Sequence, residues 1–318
     1  MLYYDGLTYK ELYKWGCGQL AEAGISESQL DARLLLEYCC GTDRNTLLVH
    51  GEKSISTQEY ENFADCIARR KEHVPLQQIT GEQNFMGLTF DVYENVLIPR
   101  QDTEVLVEEV MRHLHDGMRI LDMCTGSGCI LLSLLHYSND CTGVGVDISE
   151  EALQAARMNA GKILGMEMNG QESADSVVNR EAVPDDESEE PTETGQKVIL
   201  MQSDLFQELD SKDKFDIIVS NPPYIRTDVI ETLMPEVKAH EPHLALDGRE
   251  DGLYFYREII AQAGAYLNRE GMLFFEIGYD QGEEVRRLME NAGYTEVEAV
   301  KDFAGLDRVV YGVYSVMA

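Results

Sequence analysis

Four consecutive residues, Asn221-Pro222-Pro223-Tyr224, carry more chemistry than any other stretch of this chain. Each proline biases the residue before it toward an extended backbone, and neither has an N–H to donate. The stretch therefore presents carbonyl oxygens with few competing donors. Asn221 adds a side-chain amide oxygen, and Tyr224 adds a flat aromatic face. Two acceptors and a stacking surface suit a planar group bearing an NH2, such as a carboxamide or a nucleobase amine. An isolated Asn-Pro usually marks only a turn after a strand. This one follows Phe215-Asp216-Ile217-Ile218-Val219-Ser220, which reads as a buried strand, and a nucleotide-type loop lies upstream.

That loop is Cys124-Thr125-Gly126-Ser127-Gly128, at the end of Ile120-Leu121-Asp122-Met123. Glycines let a backbone approach a ligand closely, and the helix that starts there offers unpaired N–H donors. By itself a Gly-x-Gly is a weak signal, and an ordinary βα turn explains it. The context adds a second strand, Val144-Gly145-Val146-Asp147, which puts a carboxylate 21 positions after Gly126. A carboxylate there can accept both hydroxyls of a ribose. No lysine follows the glycines, which excludes a P-loop, and no third glycine stands near Leu131, where a dinucleotide fingerprint needs one. An adenosine ligand without phosphates fits best: S-adenosylmethionine. Ser203-Asp204 follows the next strand. Asp204 either reaches the adenine edge or caps a helix.

Around these residues the pattern alternates β and α from Arg119 onward. Strands read at 119–123, 142–147, 197–202, 215–220, 271–277, 295–301 and 308–315, and helices at 127–137, 149–164, 252–267 and 280–292. Such alternation implies an α/β fold, a doubly wound, mostly parallel seven-stranded sheet covered on both faces. The last two strands share a short link containing Gly305, which predicts a hairpin and one antiparallel strand. Residues 1–75 read as a small helical bundle, either a recognition module or a stabilising extension. Its apolar faces are Leu30, Leu34, Leu35 and Tyr38, then Tyr60, Phe63, Ala64 and Ile67, with Ser26 and Ser56 or Thr57 as helix starts and Trp15 in the core. Residues 76–99 read as a β-hairpin linker, 103–114 as a helix, and 100–318 as the catalytic domain. Within that domain, residues 166–196 are acidic and aperiodic. They read as a disordered insertion at the sheet end opposite the ligand crevice.

Composition bounds the function. Formal net charge is −32, from 26 basic and 58 acidic residues, which repels a phosphate backbone and argues against direct nucleic-acid binding. The seven cysteines have no paired metal spacing and read as packed, free thiols of a reducing compartment. The histidines form no ligand cluster, His240 and His243 flanking Glu241-Pro242 in a loop, so no metal is expected. No apolar run is long enough to span a bilayer and the N-terminus lacks a basic-then-apolar leader, so no membrane association and a cytoplasmic location are expected. The absence of a heptad pattern favours a monomer.

Taken in order, Gly126/Gly128, Asp147 and Asn-Pro-Pro-Tyr resemble a class I methyltransferase acting on a planar nitrogen. The upstream run Leu97-Ile98-Pro99-Arg100-Gln101-Asp102-Thr103-Glu104 narrows the likeness, as do Thr80-Gly81, Phe85 and Phe274-Phe275-Glu276-Ile277-Gly278. Together they resemble the peptide chain release factor glutamine N5-methyltransferases, over nearly all the chain from about residue 74. The N-terminal helices have the size and place of that family's substrate-recognition domain. The resemblance implies that Asn221 and the Pro222 carbonyl hold a glutamine amide of a release factor, with Pro223 bracing them and Tyr224 against it. It implies that Cys124, Thr125, Gly126, Ser127, Gly128, Asp147, Asp204 and Leu205, with Asn221, hold S-adenosylmethionine. Three departures stand out: Cys124 replaces a usual glycine, Gln101 a usual proline, and Leu205 an often aromatic residue, leaving Leu205 or Phe206 to cover the adenine.

An amide nitrogen is a poor nucleophile because its lone pair is delocalised. Acceptors fixed along its N–H directions stabilise the positive charge that grows during methyl transfer, each worth roughly 3 kcal/mol by analogy with oxyanion-hole donors. No general base is required. Arg100 either shapes the cofactor pocket or pairs with Glu104, and Glu276 either reaches the crevice or caps a strand. Two other functions fit parts of the pattern: methylation of an adenine-N6 or guanine-N2 amine, and a cofactor-binding scaffold without turnover.

Overall fold

The N-terminal helices start where the sequence supplies caps. The computed structural model describes residues 7–165, 175–179 and 197–315. Helix α1 (Tyr9–Glu22) opens on a capping box between Thr8 and Glu11, and α4 (Thr57–Lys71) on one between Ser56 and Glu59. Between them lie α2 (Ser28–Cys40) and α3 (Arg44–Val49), and α5 (Leu76–Thr80) follows. The N-cap of α2 is Glu27 rather than Ser26, without a side-chain bond. The buried face of α2 is Asp31, Ala32, Leu35 and Leu36, so Leu30 and Tyr38, expected inside, are 42% and 54% exposed. The cause is polar: Arg70 donates to Asp31 at 2.7 Å within the bundle, and both are buried. That ion pair turns the helix to a phase that apolar spacing does not reveal. Trp15 lies at the rim, 38% exposed, with its ring 6.1 Å from those of Tyr60 and Phe63.

Next come β1 (Glu82–Phe85) and β2 (Leu88–Asp91), a hairpin within the stretch 76–99, whose first five residues form α5 rather than strand. Phe85 and Phe90 meet edge to face at 6.0 Å and are fully buried. After α6 (Asp102–His113) the alternation begins: β3 (Arg119–Met123), α7 (Cys129–His136), β4 (Thr142–Asp147), α8 (Glu150–Leu164), β5 (Asp175–Asn179), β6 (Lys197–Gln202) and β7 (Phe215–Ser220). Short helices α9 (Thr227–Ile230), α10 (Pro235–His240) and α11 (His243–Leu246) precede α12 (Tyr254–Ala263), β8 (Leu267–Glu276), α13 (Gly282–Asn291), β9 (Tyr294–Lys301) and β10 (Asp307–Tyr314). His240 and His243 thus end one short helix and start another rather than sharing a loop.

The sheet runs β5-β6-β4-β3-β7-β8-β10-β9. All seven expected strands are present; β10 runs antiparallel to both β8 and β9, as the terminal hairpin predicts. β8 begins four residues early, at Leu267, and its pairing with β7 slips between Phe215 and Ile217. The eighth strand, β5, lies within the stretch 166–196 whose composition predicts disorder; it pairs antiparallel with β6, Val177 opposite Ile199. Two adjacent β-branched residues, Val177 and Val178, favour extension despite the acidic surroundings. The rest of that stretch lies outside the described residues.

Residues alternate between two apolar layers along the central strands. Ile120, Ile217 and Val219 face a cluster with Leu106, Leu131, Leu134 and Leu153, and Leu121, Met123 and Ile218 face one with Tyr256, Ile259, Val285 and Met289. Strands buried on both sides read as continuous hydrophobic runs.

The chain forms two compact units: Met1–Glu82 with Met234–His240, and Gln83–Leu233 with Glu241–Ala318. Helix α10 thus belongs with the bundle, where Glu236 accepts from Arg70 at 3.0 Å and the His240 carbonyl from Gln78 at 2.9 Å.

Candidate active site

The strand order reverses at β3, with β4 on one side and β7 on the other. In open parallel sheets a crevice forms there, beyond the carboxyl ends of the strands. Hydrogen bonds tie those ends together. Thr125 N donates to the Val146 carbonyl at 3.0 Å, Ser203 N to the Asp147 carbonyl at 2.9 Å, and the Ser220 hydroxyl to the Met123 carbonyl at 2.7 Å. The glycine loop, Asp147, Ser203-Asp204 and the Asn-Pro-Pro-Tyr segment therefore stand at four neighbouring strand ends.

In the loop, Gly126 has φ +58° and Gly128 φ +79°, conformations that L side chains adopt at a cost. A Cβ on Gly126 would meet open space within 4 Å, whereas one on Gly128 would stand 3.0 Å from Leu132 Cδ1 and 3.2 Å from Ala156 Cβ. Gly126 leaves room for a ligand; Gly128 lets α7 pack closely on α8. Cys124 also has a positive φ, +62°, which explains why a glycine is usual there. Its thiol is pushed well up by burial and then by Asp147 and Asp122, so it stays neutral. Leu205 is strained too, at φ +53°. All seven cysteines are free; Cys66, Cys129 and Cys141 are buried and the other four are partly exposed as whole residues.

The Asp147 carboxylate accepts from Gly126 N through Oδ2 and from Ser149 N through Oδ1, each at 2.9 Å. Each oxygen keeps a lone pair for a further donor. Burial raises its pKa while these backbone bonds lower it. Asp204 is exposed, bonded through Oδ2 to Gln207 at 3.1 Å, and no helix begins there; the cap of that turn is Ser203, whose hydroxyl accepts from Glu208 N at 3.1 Å. Phe206 is buried and stacked on Tyr266 at 4.8 Å, which leaves half-buried Leu205 to border the crevice. Open space at Gly126, a carboxylate with spare lone pairs and an apolar flank at Leu205 fit an adenosine-bearing ligand.

Thr125 and Ser127 are buried at 3% and 4% exposure, and the Thr125 hydroxyl is committed to Asp122 at 2.6 Å. The Thr125 N–H is spent on Val146 and its carbonyl accepts from Gly128 N at 2.9 Å, and the Ser127 carbonyl accepts from Asn159 at 3.1 Å, so both residues mainly hold the loop in shape. Asp122 is a residue that sequence reasoning passed over. It is wholly buried within β3, Oδ1 has no hydrogen-bond partner among the described residues, and burial pushes its pKa up to about 7. A carboxylate inside an apolar strand was the available signal.

On the other side of the switch point, Asn221 is half-buried and its Nδ2 donates to Thr103 Oγ1 at 3.3 Å. Pro222 and Pro223 are buried. Tyr224 donates through its hydroxyl to Glu276 Oε1 at 3.2 Å, and its carbonyl accepts from Gln281 at 3.1 Å. Glu276 is 1% exposed, with its pKa raised by burial. Arg100 does not pair with Glu104. It donates to Glu241, whose side chain is 1% exposed, while Glu104 accepts from Met86 N at 2.7 Å and closes the β1–β2 turn. Gln101 has φ −62°, the value a proline ring imposes, so the usual proline would suit its backbone. Thr103, Gln281 and Glu241 carry no periodicity or spacing that singles them out.

An antiparallel strand inserted between the last two of a parallel set, with the crevice at β3, is the class I methyltransferase arrangement, and the protein is of that class. The methyl donor of the class is S-adenosylmethionine. Two family models match parts of the chain: the PrmC N-terminal domain over residues 11–81 and the Eco57I restriction-modification methylase over residues 143–275. The release factor glutamine methyltransferase of Caulobacter vibrioides is 38% identical over 309 residues, 96% of each chain. That of Clostridium acetobutylicum is 39% identical over 285 residues, 89% of this chain and 90% of the relative. A solved structure, the release factor-specific protein-(glutamine-N5) methyltransferase of Alicyclobacillus acidocaldarius, is 26% identical, with a TM-score of 0.37 over 71% of this chain and 100% of that one. The chain belongs to the release factor glutamine methyltransferase family.

Proposed function

We propose that the chain transfers the methyl group of S-adenosylmethionine to the side-chain amide nitrogen, N5, of the glutamine in the Gly-Gly-Gln motif of peptide chain release factors. The observation that carries this reading is the bond from Ser220 to the Met123 carbonyl at 2.7 Å, which pins the start of Asn-Pro-Pro-Tyr to the strand that enters the glycine loop. The amide-gripping segment and the adenosine-fitting loop are thereby held side by side.

The bound cofactor supplies an electrophilic methyl group on a sulfonium. Asp147 accepts the ribose hydroxyls, the backbone of the Cys124–Gly128 loop lines the crevice, and Asp204 with Leu205 borders the adenine. Asn221 Oδ1 and the Pro222 carbonyl accept the two N–H bonds of the glutamine amide and orient its nitrogen. As positive charge develops on that nitrogen its protons become more acidic, so the two acceptors stabilise the transition state more than the ground state. Tyr224 presents its ring against the amide plane. Pro223 keeps the Pro222 carbonyl aimed outward.

The bundle, residues 1–75, serves as the substrate-recognition domain in this reading; Leu48 and Val49 of α3 are 74% and 73% exposed, an apolar surface for a protein partner. The net charge of −32 favours a protein over a nucleic-acid substrate. No helix among the described residues is long and apolar enough to cross a membrane. A monomer acting in the cytoplasm, where translation terminates, completes the proposal. Incubation with labelled S-adenosylmethionine and either a release factor or bulk nucleic acid tests it: label is expected in the release factor, and label in the nucleic acid alone contradicts it.

A further inference from the structure

Tyr224 closes the segment proposed to hold the substrate amide, and it is tied down at both ends. Its hydroxyl donates to Glu276 Oε1 at 3.2 Å. Its carbonyl accepts from Gln281 Nε2 at 3.1 Å, and the same Nε2 donates to the Gly252 carbonyl at 3.2 Å. At the other side of that amide, Oε1 accepts from Gly278 N at 2.9 Å and lies 3.3 Å from the Tyr256 hydroxyl. Gln281 is 9% exposed. One buried side chain thus joins the Tyr224 segment, the turn before α12, α12 itself and the turn between β8 and α13.

Backbone groups decide which way the Gln281 amide points. A peptide N–H only donates and a peptide carbonyl only accepts. Turned over, the amide would set its NH2 against the Gly278 N–H and its oxygen against two carbonyls. The NH2 therefore lies between Tyr224 and Gly252, where it draws together two carbonyl oxygens that repel one another. Glycines make room for this. A Cβ on Gly252 would stand 2.5 Å from the Tyr224 carbonyl oxygen, and one on Gly248 would stand 2.7 Å from Tyr224 Cα. Just beyond, Ile225 N donates to the Leu246 carbonyl at 3.0 Å and Gly248 N to the Ile225 carbonyl at 2.8 Å. The chain leaves Tyr224 along a short backbone ladder.

The segment between its anchors is stiff. Ser220 holds the leading end through its bond to the Met123 carbonyl, and the rings of Pro222 and Pro223 fix two φ angles. A shift of the Tyr224 peptide has few torsions to absorb it before it reaches the Pro222 carbonyl. We infer that Gln281 is a positioning residue for methyl transfer: its NH2 clamps the Tyr224 carbonyl to the Gly252 turn and so holds the Pro222 carbonyl and the Tyr224 ring in place for the substrate amide. This rests on the proposed role of Asn-Pro-Pro-Tyr. The groups bonded to Gln281 belong neither to the glycine loop nor to Asp147, so cofactor binding does not run through it.

Two substitutions test the clamp. Gln281→Met keeps the length and removes the donor. Gln281→Glu keeps the shape and puts an oxygen where the NH2 stood. Ionised, that carboxylate faces two carbonyls; protonated, it accepts from Gly278 N and donates to one of them. The measured quantity is kcat with a release factor, per S-adenosylmethionine site counted by calorimetry, at about pH 8 and about pH 6, the range over which a buried carboxyl takes up its proton. Glu276, Tyr224, Tyr256, Asp280 and Arg226 surround the position, and wild type carries them all, so each rate is divided by the wild-type rate at the same pH. At pH 8 both variants are expected to be at least about tenfold slow, a loss of about 1.4 kcal/mol, with cofactor affinity near wild type. At pH 6 the Gln281→Glu ratio is expected to climb and the Gln281→Met ratio to stay low. A role in stability alone lowers the thermal midpoint and the number of sites but leaves kcat per site unchanged. Wild-type kcat per site in Gln281→Met, or a Gln281→Glu ratio as low at pH 6 as at pH 8, overturns the inference. If Gln281→Met does not fold, the two Gln281→Glu ratios decide. Asn221→Ala is run beside them. Should Asn221→Ala be inactive while Gln281→Met is normal, the clamp alone fails; normal turnover in Asn221→Ala removes the proposed role of the segment, and the clamp with it.

Discussion

The backbone N–H of Gly126 donates to the Asp147 carboxylate at 2.9 Å, so the glycine with open space beside it is held by the residue proposed to grip the ribose. One substitution should then disturb two things. Asp147→Ala removes the proposed acceptor for the ribose hydroxyls and frees the Gly126 N–H. Hydrogen bonds to charged groups are worth about 1.5–3 kcal/mol each. Loss of about 2 kcal/mol corresponds to roughly thirtyfold weaker S-adenosylmethionine binding, to be measured by calorimetry on the folded variant.

The two loop glycines should fail differently. Gly126→Ala places a methyl group in open crevice space at φ +58°, and Gly128→Ala places one against Leu132 and Ala156 at φ +79°. Each carries a backbone penalty of about 1–2 kcal/mol. Gly126→Ala is expected to weaken cofactor binding more than it lowers the unfolding midpoint. Gly128→Ala is expected to lose additional stability from the forced shift of α7 on α8. Chemical denaturation and cofactor titration of both variants check the contrast.

Asp122 should tie stability to pH. Burial pushes its pKa from 3.8 to about 7, so the native state holds a proton that the unfolded chain releases. The native state binds more protons between these values, and stability falls as pH rises. The stabilising contribution is full below about pH 4 and lost by about pH 7. Between pH 5 and pH 8 the wild type should lose about 3 kcal/mol relative to Asp122→Asn, which has no proton to release. Urea unfolding of both proteins at the two pH values measures that difference.

Arg100 and Glu241 should behave as a coupled pair. The Glu241 side chain is 1% exposed and Arg100 39%, and Glu241 Oε2 has no hydrogen-bond partner among the described residues. Arg100→Ala leaves a buried carboxylate uncompensated, which costs about 3 kcal/mol for a fully buried pair and less here because the arginine is partly in solvent. Arg100→Ala with Glu241→Gln should recover most of the loss. A double-mutant cycle by denaturation checks this.

How much of this was legible in the sequence differs from element to element, for physical reasons. The ends of β3, β4, β6 and β7 fall at the expected residues because strands buried on both faces read as short, continuous apolar runs ended by polar or turn residues. The strand ends that bring Asp147 and Asn221 to the crevice were legible for the same reason: Asp147 closes one such run and Asn221 directly follows another. The face of α2 was not, because the Asp31–Arg70 pair joins residues 39 positions apart and apolar spacing is blind to it. β5 was obscured by the acidic residues around Val177 and Val178. Arg100 has Glu104 at helical spacing, which suggested the wrong partner; its true one, Glu241, comes 141 positions later. Thr103 and Glu276 reach Asn221 and Tyr224 only through the packing of α6 and β8 beside β7. No local signal could have joined them.

The central claim is that Asn221 grips a carboxamide and aims its nitrogen at the methyl donor. Site-resolved mass spectrometry of a release factor after reaction with S-adenosylmethionine tests it most directly, using wild type and Asn221→Ala side by side. The account predicts one added methyl group on the side chain of the Gly-Gly-Gln glutamine with the wild-type chain. With Asn221→Ala it predicts about a hundredfold less or lower, at unchanged cofactor affinity. A methyl group on any other residue, or an equal yield from Asn221→Ala, would contradict it.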